Sequence, residues 1–254
     1  MPHFTTFDGL SIAYTVWGDD ETRPPVLLHH GFGATARINW KYTGVVDALV
    51  AAGRKAVGID ALGHGASDKP HDSALYGETR MARDLSVLID HLGAERIDLA
   101  GYSMGAIVSL ITASQEPRIC RLVTGGVGEG VVAMGGVDTR HVPNLAIVEA
   151  LLAEDPTAPQ HPGAAPFRQF ADAIGADRKA LAAQASVVHA APIPLDKITA
   201  PTLVTAGDDD PLAVHPERLA AAIPGATSLL VRGDHRAAVA DPAFARAIVE
   251  FLAD

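Results

Sequence analysis

Ile97-Asp98-Leu99-Ala100-Gly101-Tyr102-Ser103-Met104-Gly105-Ala106-Ile107-Val108 reads as a buried strand that runs into Gly-x-Ser-x-Gly and then straight into an apolar helix. The two glycines permit a sharp strand-to-helix turn, which predicts Ser103 at its apex, strained and with its hydroxyl exposed. The helix that follows adds backbone N–H groups and a positive dipole end beside any anion formed there. The five-residue pattern also arises by chance in glycine-rich chains, but here it has the strand before and the helix after that the chemistry requires.

Outward from this stretch, short apolar runs alternate with helical spacing. Pro25 to His30, Lys55 to Asp60, Arg121 to Thr124, Thr202 to Ala206 and Thr227 to Val231 predict strands buried on both faces. In Thr79 to Gly93, Met81, Leu85, Leu88, Ile89 and Leu92 share one helical face, with Arg80, Arg83, Asp84 and Asp90 mainly on the other. Asp8-Gly9 followed by the alternating Ser11 to Trp17 predicts an antiparallel pair over residues 4–17 at a sheet edge. The class expected is α/β, a mostly parallel central sheet with helices on both faces. From Val127 to Leu195 the alternation stops. Three alanine-rich helical pieces are expected there, Leu145 to Glu154, Ala165 to Ile174 and Arg178 to His189, with turns at Asp155-Pro156 and His161-Pro162-Gly163. Residues 127–195 are therefore read as a small helical cap inserted into a core made of 1–126 and 196–254.

Composition narrows the function classes. The 254 residues carry 20 Lys+Arg against 30 Asp+Glu, a net charge of −10, and 48% are hydrophobic. An acidic chain is a poor match for nucleic acid, whose binding relies on clustered cations. No run approaches the roughly 20 apolar residues of a membrane span, so no membrane partner is expected. One cysteine, Cys120, allows no internal disulfide, and the N-terminal stretch lacks the basic and apolar regions of a signal peptide. A cytoplasmic protein acting on a small molecule is the expectation; oligomeric state is not readable.

A serine hydroxyl needs a base, and the base needs an acid. His235 follows the last expected strand and precedes the terminal helix Pro242 to Leu252, which puts it at the same carboxyl edge of the sheet as Ser103. His30 is assigned to the turn at Gly31, His64 lies in Gly63-His64-Gly65, and His215 precedes a helix start at Pro216. For the acid, Gly207-Asp208-Asp209-Asp210-Pro211 follows a strand; three adjacent carboxylates repel, so one should turn inward to a partner. Glu129 is a second position from which a carboxylate could reach His235. Oxyanion donors are expected from the N–H of Met104, next after the serine, and of Phe32 in His30-Gly31-Phe32-Gly33.

At this point the chain resembles the α/β-hydrolase superfamily. The resemblance rests on His30 to Gly33, Asp60-Ala61-Leu62-Gly63-His64-Gly65-Ala66-Ser67-Asp68, Gly101 to Gly105, Gly207 to Pro211 and Gly233-Asp234-His235, in that order. It implies that the acid lies three residues after the strand-ending glycine, at Asp210, and that Asp60 to Asp68 is a structural turn. Leu62 stands where arginine is common in the family and Ala106 where a second glycine often follows. Ser103 separates the chain from haloalkane dehalogenases and epoxide hydrolases, whose nucleophile is Asp. The branch implied contains lactonases, carboxylesterases, cofactor-free haloperoxidases and carbon–carbon bond hydrolases.

The reading is thus a serine hydrolase of small esters, lactones or thioesters, with Ser103, His235 and Asp210 as triad and Phe32 and Met104 as oxyanion donors. Alternatives are a carbon–carbon bond hydrolase, a lyase or cofactor-free oxygenase with His235 as base, and a non-catalytic receptor. Phe167 and Phe170, the only aromatics of the cap, favour a small or aliphatic acyl group over a stacked ring. No metal site is expected, since no His-Glu-x-x-His or calcium loop occurs. No cofactor is expected either, since Gly126-Val127-Gly128-Glu129-Gly130 has the wrong final spacing for a dinucleotide loop.

Overall fold

The computed structural model describes residues 1–155 and 161–253, so the turn expected at Asp155-Pro156 lies partly outside the described residues. In chain order the strands and α-helices are β1 His3–Thr5, β2 Ser11–Trp17, β3 Val26–His29, α1 Val45–Ala51, β4 Ala56–Ile59, α2 Glu78–His91, β5 Ile97–Tyr102 and α3 Met104–Ala113. They continue with β6 Ile119–Gly125, α4 Glu129–Met134, α5 Asn144–Leu152, α6 Ala165–Ala173, α7 Arg178–Ala185, β7 Thr202–Gly207, α8 Pro216–Ala222, β8 Thr227–Val231 and α9 Pro242–Phe251.

Among the described residues the strands form one sheet, ordered β1-β2-β4-β3-β5-β6-β7-β8. The β1–β2 and β2–β4 pairs are antiparallel and the others parallel. Period-two alternation sorts the strand side chains to two sides. Leu27 and Leu99 join α2, α3 and α8 in one buried cluster, while Val26, Leu28 and Ala100 join α1 and α9 in the other. Every residue of α3 is buried, which fits a helix apolar all round.

Three readings need correction. Strand β8 is not buried on both faces: Leu229 is 41% and Leu230 56% exposed, because β8 is the outermost strand with no neighbour beyond it. Asp84 does not lie on the polar face of α2. It falls three residues after Met81 and four before Leu88, which turns it inward, and burial pushes its carboxyl up to about 6 against the pull of Arg80 and Arg83. The last cap helix ends at Ala185, short of His189, and α4 at Glu129–Met134 was not foreseen.

Between β6 and β7 the chain makes only helices and connections among its described residues. Helices α5, α6 and α7 share a small apolar cluster of Ile147, Leu151, Ala171 and Leu181, against which Phe32 and Phe167 pack. Alanine-rich helices bury little area, and two arginines reinforce them. Arg168 donates to the carbonyls of Ala150 and Ala153 at 3.0 and 2.7 Å, and Arg178 to that of Leu151 at 3.1 Å. These carbonyls end α5, where cations are stabilising.

Deep in the core, Arg54 pairs with Asp98 on β5, both side chains under 5% exposed. The same guanidinium donates to the carbonyls of Leu252 and Pro24, tying β5 to the end of α9 and to the chain ahead of β3. Removing one partner of such a pair leaves a buried charge alone. Arg54→Met should cost about 3–5 kcal/mol in chemical denaturation. The double variant Arg54→Met/Asp98→Leu should recover most of that loss.

Candidate active site

Strand β5 ends in Tyr102, and Ser103 follows with φ 54° and ψ −117°, one of two non-glycine residues with positive φ among those described. Such a backbone costs of the order of 1–3 kcal/mol and persists only where its surroundings enforce it. Here the enforcement is close packing. A Cβ on Gly101 would stand 2.1 Å from the Gly105 carbonyl oxygen, and one on Gly105 would stand 2.1 Å from that of His29. The Ser103 N–H donates to the Gly125 carbonyl of β6 at 2.7 Å, and its own carbonyl accepts from Ala106 at 2.9 Å as α3 begins. Ser103 is buried to 8% exposure and its side chain faces a cavity.

His235 comes from the loop after β8. Its Nε2 lies 3.0 Å from Ser103 Oγ, and its Nδ1 lies 2.8 Å from Oδ2 of Asp210, three residues beyond the end of β7. A fully buried carboxylate on Nδ1 holds the proton there and leaves Nε2 free to accept from a hydroxyl. Asp210 is itself fixed by the Leu212 N–H at 2.9 Å on its other oxygen. The neighbouring acids have different work: Asp208 accepts from the Gly233 N–H at 2.8 Å, which shapes the loop that carries His235. Glu129 is not His235's partner. It pairs with Arg140 and Arg218, whose charges hold its carboxyl below the usual range.

Sequence reasoning missed Tyr102. Its hydroxyl donates to the His235 carbonyl at 2.8 Å, and its ring lies 5.4 Å from the imidazole. Its place beside the serine was the available signal.

The N–H groups of Phe32 and Met104 donate to no protein acceptor among the described residues. The adjacent Gly33 N–H is taken, because it donates to His64 Nε2 at 3.0 Å. His64, in its Gly63-His64-Gly65 turn, thereby holds this loop. His30 Nε2 accepts from the Ala61 N–H at 3.0 Å, which joins the loop after β3 to the loop after β4. Both acceptances require neutral rings. Burial pushes His29 and His30 down to about 4 and His64 to about 3.

The cavity beside Ser103 is walled by Phe32, Met104, Ile107, Val137, Val142, Ile147 and Phe167. The helical segment thus supplies much of the wall. It is moored to the core: Arg236, next to His235, donates to the Pro166 carbonyl at 2.9 Å and stacks over the Phe170 ring. Leu62 and Ala106, the two departures from the family pattern, are both buried and serve packing. In Gly126 to Gly130 the glycines are packing requirements, since a Cβ on Gly126 would crowd Tyr102 and His235.

Residues 24–128 match the family model described as alpha/beta hydrolase fold. A solved hydrolase from Pseudomonas aeruginosa is 28% identical, with a TM-score of 0.79 over 100% of this chain and 98% of that one. The 2-hydroxy-6-oxo-2,4-heptadienoate hydrolase of Pseudomonas putida is 34% identical over 140 residues, 52% of this chain and 49% of its own length. A Bacillus subtilis protein described as a putative 2-succinyl-6-hydroxy-2,4-cyclohexadiene-1-carboxylate synthase is 31% identical over 134 residues, 52% of this chain and 47% of its own. The chain therefore spans about half the length of these curated relatives. It has the alpha/beta hydrolase fold.

The neutral histidines give the protein a pH signature. Each would bind a proton in the unfolded chain below about pH 6.5 but resists one when folded. Each therefore contributes stability that is full above that pH and is lost as pH falls toward about 4. Glu78 and Asp84, both raised, act in the opposite sense. Comparing parent with His64→Gln isolates one histidine. The parent's stability should fall more steeply below pH 6.5, by up to about 1.4 kcal/mol per pH unit, in urea titrations at stepped pH.

Proposed function

We propose that the protein is a serine hydrolase cleaving small esters, lactones or thioesters by way of an acyl-enzyme. The observation that carries this reading is the line Ser103 Oγ–His235 Nε2, 3.0 Å, and His235 Nδ1–Asp210 Oδ2, 2.8 Å, with the serine on its strained turn. Ser103 Oγ attacks the carbonyl carbon as its proton passes to Nε2. The charge that gathers on the carbonyl oxygen is met by the Phe32 and Met104 N–H groups. Asp210 steadies the imidazolium. Collapse of the tetrahedral species expels the alkoxide or thiolate, which takes the proton from Nε2. Water, deprotonated by the same nitrogen, then releases the acid.

Carbon–carbon bond hydrolysis by the same residues is the second reading, favoured by the similarity to the heptadienoate hydrolase. The cavity speaks against it, since a dienoate substrate brings a carboxylate and no Lys or Arg is among the residues lining the cavity. An intact line of serine, histidine and acid supports an enzyme over a receptor.

Incubation with a fluorophosphonate followed by peptide mass spectrometry should find one adduct, on Ser103, which His235→Ala abolishes. No adduct on folded protein would count against an activated serine. Ser103→Ala and His235→Ala should each lower ester kcat by about 10⁴–10⁶-fold. Asp210→Asn should lower it by about 10⁴-fold, with Glu129→Gln close to parent. The reverse ranking of the two acids would overturn the choice of Asp210.

A further inference from the structure

Two acids, Glu78 and Asp138, line the cavity that holds Ser103, and the mechanism above uses neither. Glu78 opens α2, is 4% exposed and lines the same cavity. Its Oε2 accepts from the His189 N–H at 2.7 Å. Among the described residues no Lys or Arg pairs with it and none lines the cavity. A carboxyl buried without a cation is an unusual thing to place among Met104, Ile107 and Val188. His189 stands beside it with its Nε2 buried and without a hydrogen-bond partner, while its Nδ1 meets the Thr79 hydroxyl at 3.2 Å. The polar groups thus sit together in an apolar wall, and Glu78, Val188 and His189 also border an outer pocket where Arg80 and Arg83 lie.

We infer that Glu78 and His189 form a recognition point for a hydrogen-bond-donating group, a hydroxyl or a protonated amine, carried on the acyl chain of the substrate. The inference rests on the hydrolase reading and names the substrate class of that same site. A hydroxyl or ammonium offers Glu78 the partner that the fold withholds. A carboxylate in the same place would face a buried acid with no counter-charge, and a plain hydrocarbon would leave Glu78 with backbone donors alone and His189 Nε2 without a partner.

The charged groups around Glu78 leave its response legible. Asp138, which also lines the cavity, is neutralised by Arg140, and Arg80 pairs with Asp8. Burial lowers His189, which keeps it neutral to lower pH than a free imidazole, and Asp210 and His235 act on every substrate alike. Burial also pushes Glu78 up to about 7. It is therefore ionised above neutrality, where an ammonium gains a charged partner, and protonated below.

The test compares methyl esters of six- and seven-carbon straight-chain acids ending in methyl, hydroxyl, ammonium or carboxylate. The parent enzyme should favour hydroxyl and ammonium over carboxylate in kcat/KM by about tenfold or more. The ammonium-to-methyl ratio should rise by about tenfold or more from pH 5.5 to 8.5, and Glu78→Gln should flatten that rise. Because the pH ratio is read on the parent alone, it decides the matter even if the variant fails to fold. Turnover with no preference and a flat ratio overturns this inference and leaves the hydrolase reading standing. No turnover of any ester together with an unlabelled Ser103 overturns both.

Discussion

The backbone of Ser103 is the constraint on which the rest of the site depends. A residue at φ 54° after a parallel strand is held there by contacts on every side: β6 through Gly125, β3 through the approach of His29 to Gly105, and α3 through its first turn. Moving any one of these relaxes the turn. Because the strands are parallel, the same packing delivers the ends of β3, β7 and β8 to one edge of the sheet, and with them Phe32, Asp210 and His235. The strain is local and the support is global, a division expected where a scaffold must hold a side chain against its own conformational preference.

Electrostatics around this turn are arranged by what is kept neutral as much as by what is charged. The floor of the loop carrying Phe32 consists of imidazoles whose burial removes their protons, and each then accepts a backbone N–H. Charged rings there would donate instead, and the loop would lose its anchors. Asp210, in contrast, is buried against His235 and the Leu212 N–H, partners suited to a carboxylate. The two kinds of burial meet within one sheet edge.

Much of this was legible in the sequence because it is written in local signals. Gly101 and Gly105 flank the serine at the spacing a tight turn needs, and the apolar runs from Val26 to Val231 mark successive strands. The acid was only partly legible from the residues themselves, since choosing Asp210 over Asp208, Asp209 or Glu129 depends on where loops fold back in space. The roles of Tyr102, His64 and Glu78 were hard to read for the same reason, although Tyr102 stands next to the serine. Their partners, His235, Gly33 and His189, lie 133, 31 and 111 positions away. The exposure of Leu229 and Leu230 escaped because a strand's place in the sheet order is not carried by its own composition.

On the proposed reading Ser103 is a nucleophile whose developing oxyanion is met by the N–H groups of Phe32 and Met104. A crystal structure with an alkyl boronic acid, which forms a tetrahedral adduct, addresses it most directly. The account predicts boron bonded to Ser103 Oγ with one boronate oxygen about 2.7–3.1 Å from both N–H groups. Boron on another side chain, or an adduct whose oxygens turn away from those two amides, would contradict it.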